Sequence, residues 1–442
     1  MMDRRTRLLT AQNLPTLFRL AVPGIAAMMI MSSMSIVEAW YLGREGTVEL
    51  AGVALVFPIM MLSTMLSAGA IGGAVSGATA NAMGAGDTAR AEMILRASVI
   101  ISLGGGAIMA AIFLVFGRSF YGFLVGEGEV LQAAMDYSNV LMLGMVLIWM
   151  TNMGAGIMRG AGDMIRPAVV QAITSISHLI LCWILITRGG MGITGAAWAM
   201  IGAYAVGFAA LWFLFLTGRS QVRFVVGPVA RTLMVPLLKV GSLAGIQSVM
   251  TIATALTVTA LMGRLGPEWL AGYGIGARLE FLLVPVIFGI GASLIAMVGA
   301  NAGAGQRARA IGIAWQGTFV ASAIVGLIGL ASYMVPTFWA RQFTDDPAVI
   351  DATATYMRTV APCYAFFGLG LCLYFASQSL QSLGAPVLGA FLRLVIIAGG
   401  GVVLFPSGDT DPDNIFMLVA AAMVIYGLVV AIGLRLFAWR PR

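Results

Sequence analysis

From Leu20 to Gly43 the chain carries a single acid or base, Glu38. The stretch is long enough to cross a bilayer, which takes about 20 apolar residues. Runs of this kind recur near residues 14–42, 50–78, 93–117, 132–157, 167–187, 194–217, 235–262, 270–298, 311–335, 357–380, 386–406 and 414–434. Within lipid the backbone must satisfy its own hydrogen bonds, so such runs fold as helices. The expected fold class is an all-α polytopic membrane protein with twelve transmembrane helices. With 60% of residues hydrophobic and 10% charged, the chain cannot cover a soluble surface.

The net charge of +7 would suit nucleic acid, but the placement of the charges argues otherwise. Basic residues gather at Arg4, Arg5, Arg7, Arg90, Arg96, Arg159, Arg166, Arg219, Arg223, Arg231, Arg307, Arg309, Arg435, Arg440 and Arg442. Acids gather between them, at Glu127, Glu129, Asp345, Asp346, Asp351, Asp409, Asp411 and Asp413. If spans alternate, the two sets lie on opposite membrane faces, as the positive-inside rule requires of a bacterial inner-membrane protein with both termini cytoplasmic. The lipid bilayer is then the expected partner, with no nucleic acid and no obligate protein. The first apolar run is too long for a signal-peptide core and reads as a retained helix. Cys182, Cys363 and Cys372 all lie in apolar runs and read as free thiols.

The sequence also repeats. GREGTVELAG, from Gly43 to Gly52, returns as GRLGPEWLAG from Gly263 to Gly272. Gly84-Ala85-Gly86 returns as Gly303-Ala304-Gly305, Tyr137 as Tyr356, and Pro167 as Pro386. The offset stays at about 220 residues, so a six-helix unit is duplicated in parallel. The expected lobes are 1–217 and 235–442, joined by a cytoplasmic linker at 218–234. The abundant glycines fit close helix packing.

These segments, with MRGAGDMIRP before the fifth span and FTDDPAVIDATATYMR in the second half, resemble the multidrug and toxic compound extrusion (MATE) family, closer to its DinF-like branch. The resemblance covers essentially the whole chain. It implies two six-helix lobes and cation-coupled efflux of small organic compounds. It also implies an aspartate in the first helix where this chain has Glu38. In the fifth helix it implies an asparagine and an aspartate where this chain has His178 and Cys182. The NorM-type branch has an acid in the seventh helix. Here that helix has none, and Gln247, Thr251 and Thr254 form a polar stripe instead.

Helical spacing points to the same place. Ser32, Ser35 and Glu38 share one face of the first span, and Ser175, His178 and Cys182 one face of the fifth. Both spans run outward, which puts Glu38 and Cys182 at similar depth and His178 about 6 Å deeper. Desolvation disfavours a charged carboxylate and a protonated imidazole favours it, so the pair suits proton uptake and release. Intramembrane ionisable groups are functional candidates by default. Glu38, His178 and Cys182 are thus the candidate coupling residues. Bland readings stay open: Glu38 reaching the interface or pairing with Arg44, His178 as a packing residue, and Cys182 as an apolar filler. Tyr137 and Asn152 line the same cavity or act as anchor and interhelical glue. Glu280, near the midplane of the eighth span, suits recognition of a cationic substrate or a structural ion pair. Arg278 is its nearest base, although residues two apart on a helix do not face each other. Arg358 and Arg393 have no assigned role.

No enzyme signature is present. The GAGD and GAGQ segments lack the lysine of a phosphate loop, and a single histidine argues against a metal site. No cofactor is expected. The expected function is a secondary antiporter exporting small organic, cationic or amphipathic compounds against inward protons by alternating access. The alternatives are sodium coupling, or a related flippase or exporter of lipid-linked or polar metabolite cargo.

Overall fold

The computed structural model describes residues 4–404 and 411–439. Arg440, Arg442, Asp409 and Thr410 lie outside the described residues. A short amphipathic helix, α1 (Arg4–Thr10), precedes α2 (Asn13–Glu45), α3 (Thr47–Ala85) and α4 (Thr88–Val125). Next come α5 (Glu129–Leu143), α6 (Met145–Gly160), α7 (Ile165–Arg188) and α8 (Gly192–Leu216). The second half holds α9 (Arg231–Leu265), α10 (Pro267–Gly303), α11 (Arg307–Met334), α12 (Pro347–Ser379), α13 (Gly384–Leu404) and α14 (Pro412–Ala438). Eleven of these are each long and apolar enough to span a bilayer, and α5 with α6 forms a twelfth span bent by 55°. Every expected run has its helix. The fourth is broken rather than straight, at Gly144. The second carries a π-helical segment, Met65–Ala70, within its glycine-rich part.

The duplication reaches the backbone. Both α3 and α10 end in the same turn, with Gly86 and Gly305 each at φ 79°. In each, the glycine N–H reaches back three residues, Gly86 to Met83 and Gly305 to Ala302, and the next N–H bonds five residues back, Asp87 to Ala82 and Gln306 to Asn301. This left-handed cap ends a helix cheaply only with glycine. Caps begin helices as well: Asp87 accepts from Arg90 N at 2.9 Å, and Asp346, ahead of Pro347, accepts from Ala348 N at 2.9 Å. Of the acidic run 409–413, Asp411 caps α14 by accepting from Asp413 N at 3.0 Å.

The chain falls into two compact units. One is Val22–Gly241; the other is Ser242 onward together with the chain before Val22. The expected division at 217 and 235 put the N-terminus with the first unit, and the structure groups it with the second. The reason is a polar clasp. Asn301 Nδ2 donates to the Leu8 carbonyl at 3.0 Å, and Asn13 Nδ2 donates to Gln316 Oε1 at 2.8 Å. Arg309 donates to the carbonyls of Leu9 and Ala11. These carbonyls end α1 and have no intrahelical partner, so a guanidinium satisfies them well. Most of the expected linker, residues 218–230, is non-helical and belongs to the first unit. We expect Arg309→Ala to raise amide hydrogen exchange across residues 4–16 by about tenfold, about 1.4 kcal/mol of lost protection. Unchanged exchange there would show the clasp is idle.

Candidate functional site

Within Val22–Gly241 four helix positions converge. Glu38 of α2, Tyr137 of α5, and His178 and Cys182 of α7 are all buried, with Glu38 4% exposed and His178 and Cys182 fully enclosed. The Tyr137 hydroxyl donates to Glu38 Oε1 at 2.7 Å. The other carboxyl oxygen, Oε2, lies 4.0 Å from His178 Nε2, within ion-pair range but beyond a hydrogen bond. That same Nε2 lies 3.4 Å from Cys182 Sγ. One turn earlier, Ser175 is buried, and neither its hydroxyl nor His178 Nδ1 has a hydrogen-bond partner among the described residues.

The pattern follows from helix geometry. His178 and Cys182 are four residues apart, so α7 stacks both on one face. Glu38 and Tyr137 come from other helices and meet there only through packing. The bland reading of Glu38 fails at one point, because the Arg44 guanidinium sits 4.4 Å over the Trp40 ring rather than on Glu38. The expected serine stripe also fails in part. Ser35 is exposed, while Glu38 three residues on is buried, since that step leaves the two about 60° apart around the helix.

Asn152 does not join Glu38. Its amide donates to Ser67 Oγ at 2.8 Å, beside Trp149 Nε1, which donates to Ser63 Oγ at 2.9 Å. This second polar knot takes in Ser67 of the π-helical segment of α3. Ser63, Ser67 and Trp149 were missed as a group; the only signal was two serines four apart beside a glycine-rich stretch.

In the other unit, the hydroxyl of Tyr356 donates to the half-buried Glu280. Arg278 is not the partner of Glu280: it is exposed and lies 5.3 Å over the Phe343 ring. Arg393 of α13, also without an assigned role, lies 5.4 Å over the Phe367 ring. Gln247 donates to Tyr426 Oη at 3.2 Å, and Thr251 returns its hydroxyl to the Gln247 carbonyl at 2.9 Å. These two support helix packing rather than meet Glu280. Arg358 is exposed. The repeat-related tyrosines, Tyr137 and Tyr356, thus each hold a glutamate, but from helices that are not repeat-related. Sequence pairing had matched the tyrosines without showing their task.

The Glu38 cluster can exchange a proton. One oxygen is oriented by a fixed donor, and the other faces a titratable imidazole. The donor set is one free carboxyl oxygen, an imidazole nitrogen and a thiol, a poor fit to a hard cation that wants several oxygens. Among the described residues no group of three or more His, Cys, Asp or Glu is arranged to hold a metal. Removing the tyrosine hydroxyl takes away a hydrogen bond to a charged group, about 1.5–3 kcal/mol. We therefore expect Tyr137→Phe to lower gradient-driven efflux by about tenfold or more in reconstituted vesicles, with the protein still folded.

The MatE family model matches residues 23–184 and 231–401. A probable multidrug resistance protein NorM of Thermotoga maritima is 24% identical over 384 residues, spanning 86% of this chain and 82% of its own. A protein of Shewanella oneidensis named FAD transporter is 24% identical over 387 residues, spanning 85% and 84%. The crystal structure of a MATE protein in a straight conformation superimposes with a TM-score of 0.88 at 20% identity, covering 98% of each chain. That last likeness speaks to the twelve-helix, two-lobe fold.

Proposed function

Since the chain belongs to the MATE family of multidrug efflux transporters, we propose that it exports small organic, cationic or amphipathic compounds in exchange for protons moving inward. The observation that carries this reading is the enclosed Glu38–Tyr137–His178 contact. Glu38 carries the proton, Tyr137 orients it, and His178 is its coupled partner. A proton arriving at Glu38 removes the charge that Tyr137 and His178 face, so the local packing preference changes with protonation. Such a differential preference is what couples an ion to an alternating-access cycle. The arginine-rich loops support cytoplasmic termini in a bacterial inner membrane. An acid in the first helix and none in the seventh supports placement near the DinF-like branch.

A second reading, export of a polar metabolite, is favoured by the name of the Shewanella relative. Both readings share the coupling site. The test is efflux of a fluorescent organic cation from proteoliposomes under a pH gradient in sodium-free buffer, against a sodium gradient at equal pH. Efflux under the first alone supports proton exchange. Dependence on sodium would replace the proton with sodium, and no movement of the cation under either would favour the metabolite reading.

A further inference from the structure

Two breaks within Val22–Gly241 share a level. The π-helical turn Met65–Ala70 interrupts α3, and Gly144 interrupts the span made of α5 and α6, with a bend of 55°. Ser63, just before the turn, donates its hydroxyl to Met145 Sδ, just after the bend, at 3.0 Å. On either side of this level α3 has a different partner. Before the turn it packs on α5, where Gly52 meets Ala133 and Ala134. After the turn it packs on α6, where a Cβ on Gly156 would lie 2.9 Å from the Gly72 carbonyl oxygen. This unit therefore holds two pairs of half-spans, joined through the two breaks.

The turn accommodates one inserted residue. Gly52 and Gly272 make the same contact at an offset of 220 residues, and Gly86 and Gly305 form the same cap at an offset of 219. Between these marks α3 has one residue more than α10, whose helix runs unbroken from Pro267 to Gly303. A π turn absorbs such a residue by bonding five positions back instead of four, and these turns are rare and concentrated at functional places. Gly72 permits it here, because a Cβ there would collide with the Ser67 carbonyl oxygen five residues back. Side chains of α6 then bridge the joint. The buried Trp149 donates to Ser63 Oγ at 2.9 Å, and the buried Asn152 donates to Ser67 Oγ at 2.8 Å. Neutral hydrogen bonds like these are individually modest, so they hold one state without making it permanent.

We propose that the π turn of α3 and the Gly144 bend form one hinge, latched by Trp149 and Asn152. The pair made by α5 and the first part of α3 turns about it against the pair made by α6 and the rest of α3. A hinge needs a few element-terminal residues that absorb the change in backbone angles, between parts that stay rigid. Tyr137, which holds Glu38, rides on the α5 side. Linking the hinge to proton movement rests on the Glu38 reading; the hinge itself does not.

The test is deletion of Gly69, where a Cβ would meet nothing within 4 Å. The deletion gives α3 the residue count of α10 and leaves the faces on both sides of the turn in place. We expect the full-length variant to unfold within about 5 °C of wild type. Its efflux of a fluorescent organic cation from proteoliposomes, under whichever gradient drives wild type, should fall about tenfold or more. Full efflux by the folded variant would make the turn a passive insertion and overturn the proposal. Trp149→Phe and Asn152→Leu keep the chain length and decide the matter if the deletion variant does not fold. In each, amide exchange over residues 61–72 should rise about tenfold, while 48–59 and 74–85 keep their wild-type protection. A rise spread evenly along α3, or no rise, would overturn the hinge. If the cation does not move even in wild type, the organic-cation reading fails separately and the exchange pattern alone decides.

Discussion

We expect Glu38→Gln to reduce proton-driven efflux to the level of protein-free liposomes. Glutamine keeps the shape of the side chain and still offers an oxygen to the Tyr137 hydroxyl, which now donates at 2.7 Å. It cannot take up or release a proton in the working pH range, so the carrier role is lost while the packing stays. The variant should remain folded, because a neutral amide at a 4% exposed position is easier to bury than a carboxylate. Glu38→Asp keeps an acid but is too short to hold both Tyr137 and His178, so it should retain a measurable fraction of the efflux. His178→Asn keeps a polar group without titration and should fall between wild type and Glu38→Gln. The measurement is efflux against an imposed pH gradient, with unfolding temperature as the control. Full efflux by Glu38→Gln would end the proton-carrier reading.

Gly52→Leu and Gly272→Leu each cost about 3 kcal/mol of stability, as overpacking at a rigid contact does. A Cβ on Gly52 would lie 2.8 Å from Ala133 Cβ and 3.0 Å from the backbone nitrogen of Ala134. On Gly272 it would lie 2.6 Å from Ala352 Cβ and 2.9 Å from the backbone nitrogen of Thr353. Backbone atoms cannot rotate aside, so α3 must part from α5, and α10 from α12. The two glycines occupy the same place in the repeated segment, and the losses should match. Thermal unfolding of the detergent-solubilised protein reads both. A wild-type unfolding temperature in either variant would show that its contact yields.

The span count and the duplication were legible because both are properties of the chain in order. Apolar length decides what can cross lipid, and a parallel repeat shows itself by offset. The convergence on the Glu38 site was partly legible. His178 and Cys182 share a face by spacing alone, and depth along α2 and α7 set the level at which Glu38 would meet them. Ser35 went astray because spacing gives the angle between two residues of one helix, not the direction that either faces in the bundle. Of the two readings open for Asn152, the structure takes interhelical glue; its partner, Ser67, lies in the π-helical segment of α3, which no spacing rule reveals.

Glu280 marks the boundary. Its burial in an apolar span and its separation from Arg278 by an unfavourable helical angle could be read from residue order. That Tyr356, more than seventy positions away, is the donor that holds it could not be. Sequence by itself determined twelve membrane helices, a doubled six-helix plan and a lone acid in the first span. Only the tertiary structure decided which hydroxyl orients each acid, that His178 faces Glu38, and that the N-terminal segment is clasped by the second unit. The physical reason is that apolar length and helical period act along one helix, whereas charge partners are chosen by how separate helices rotate and pack.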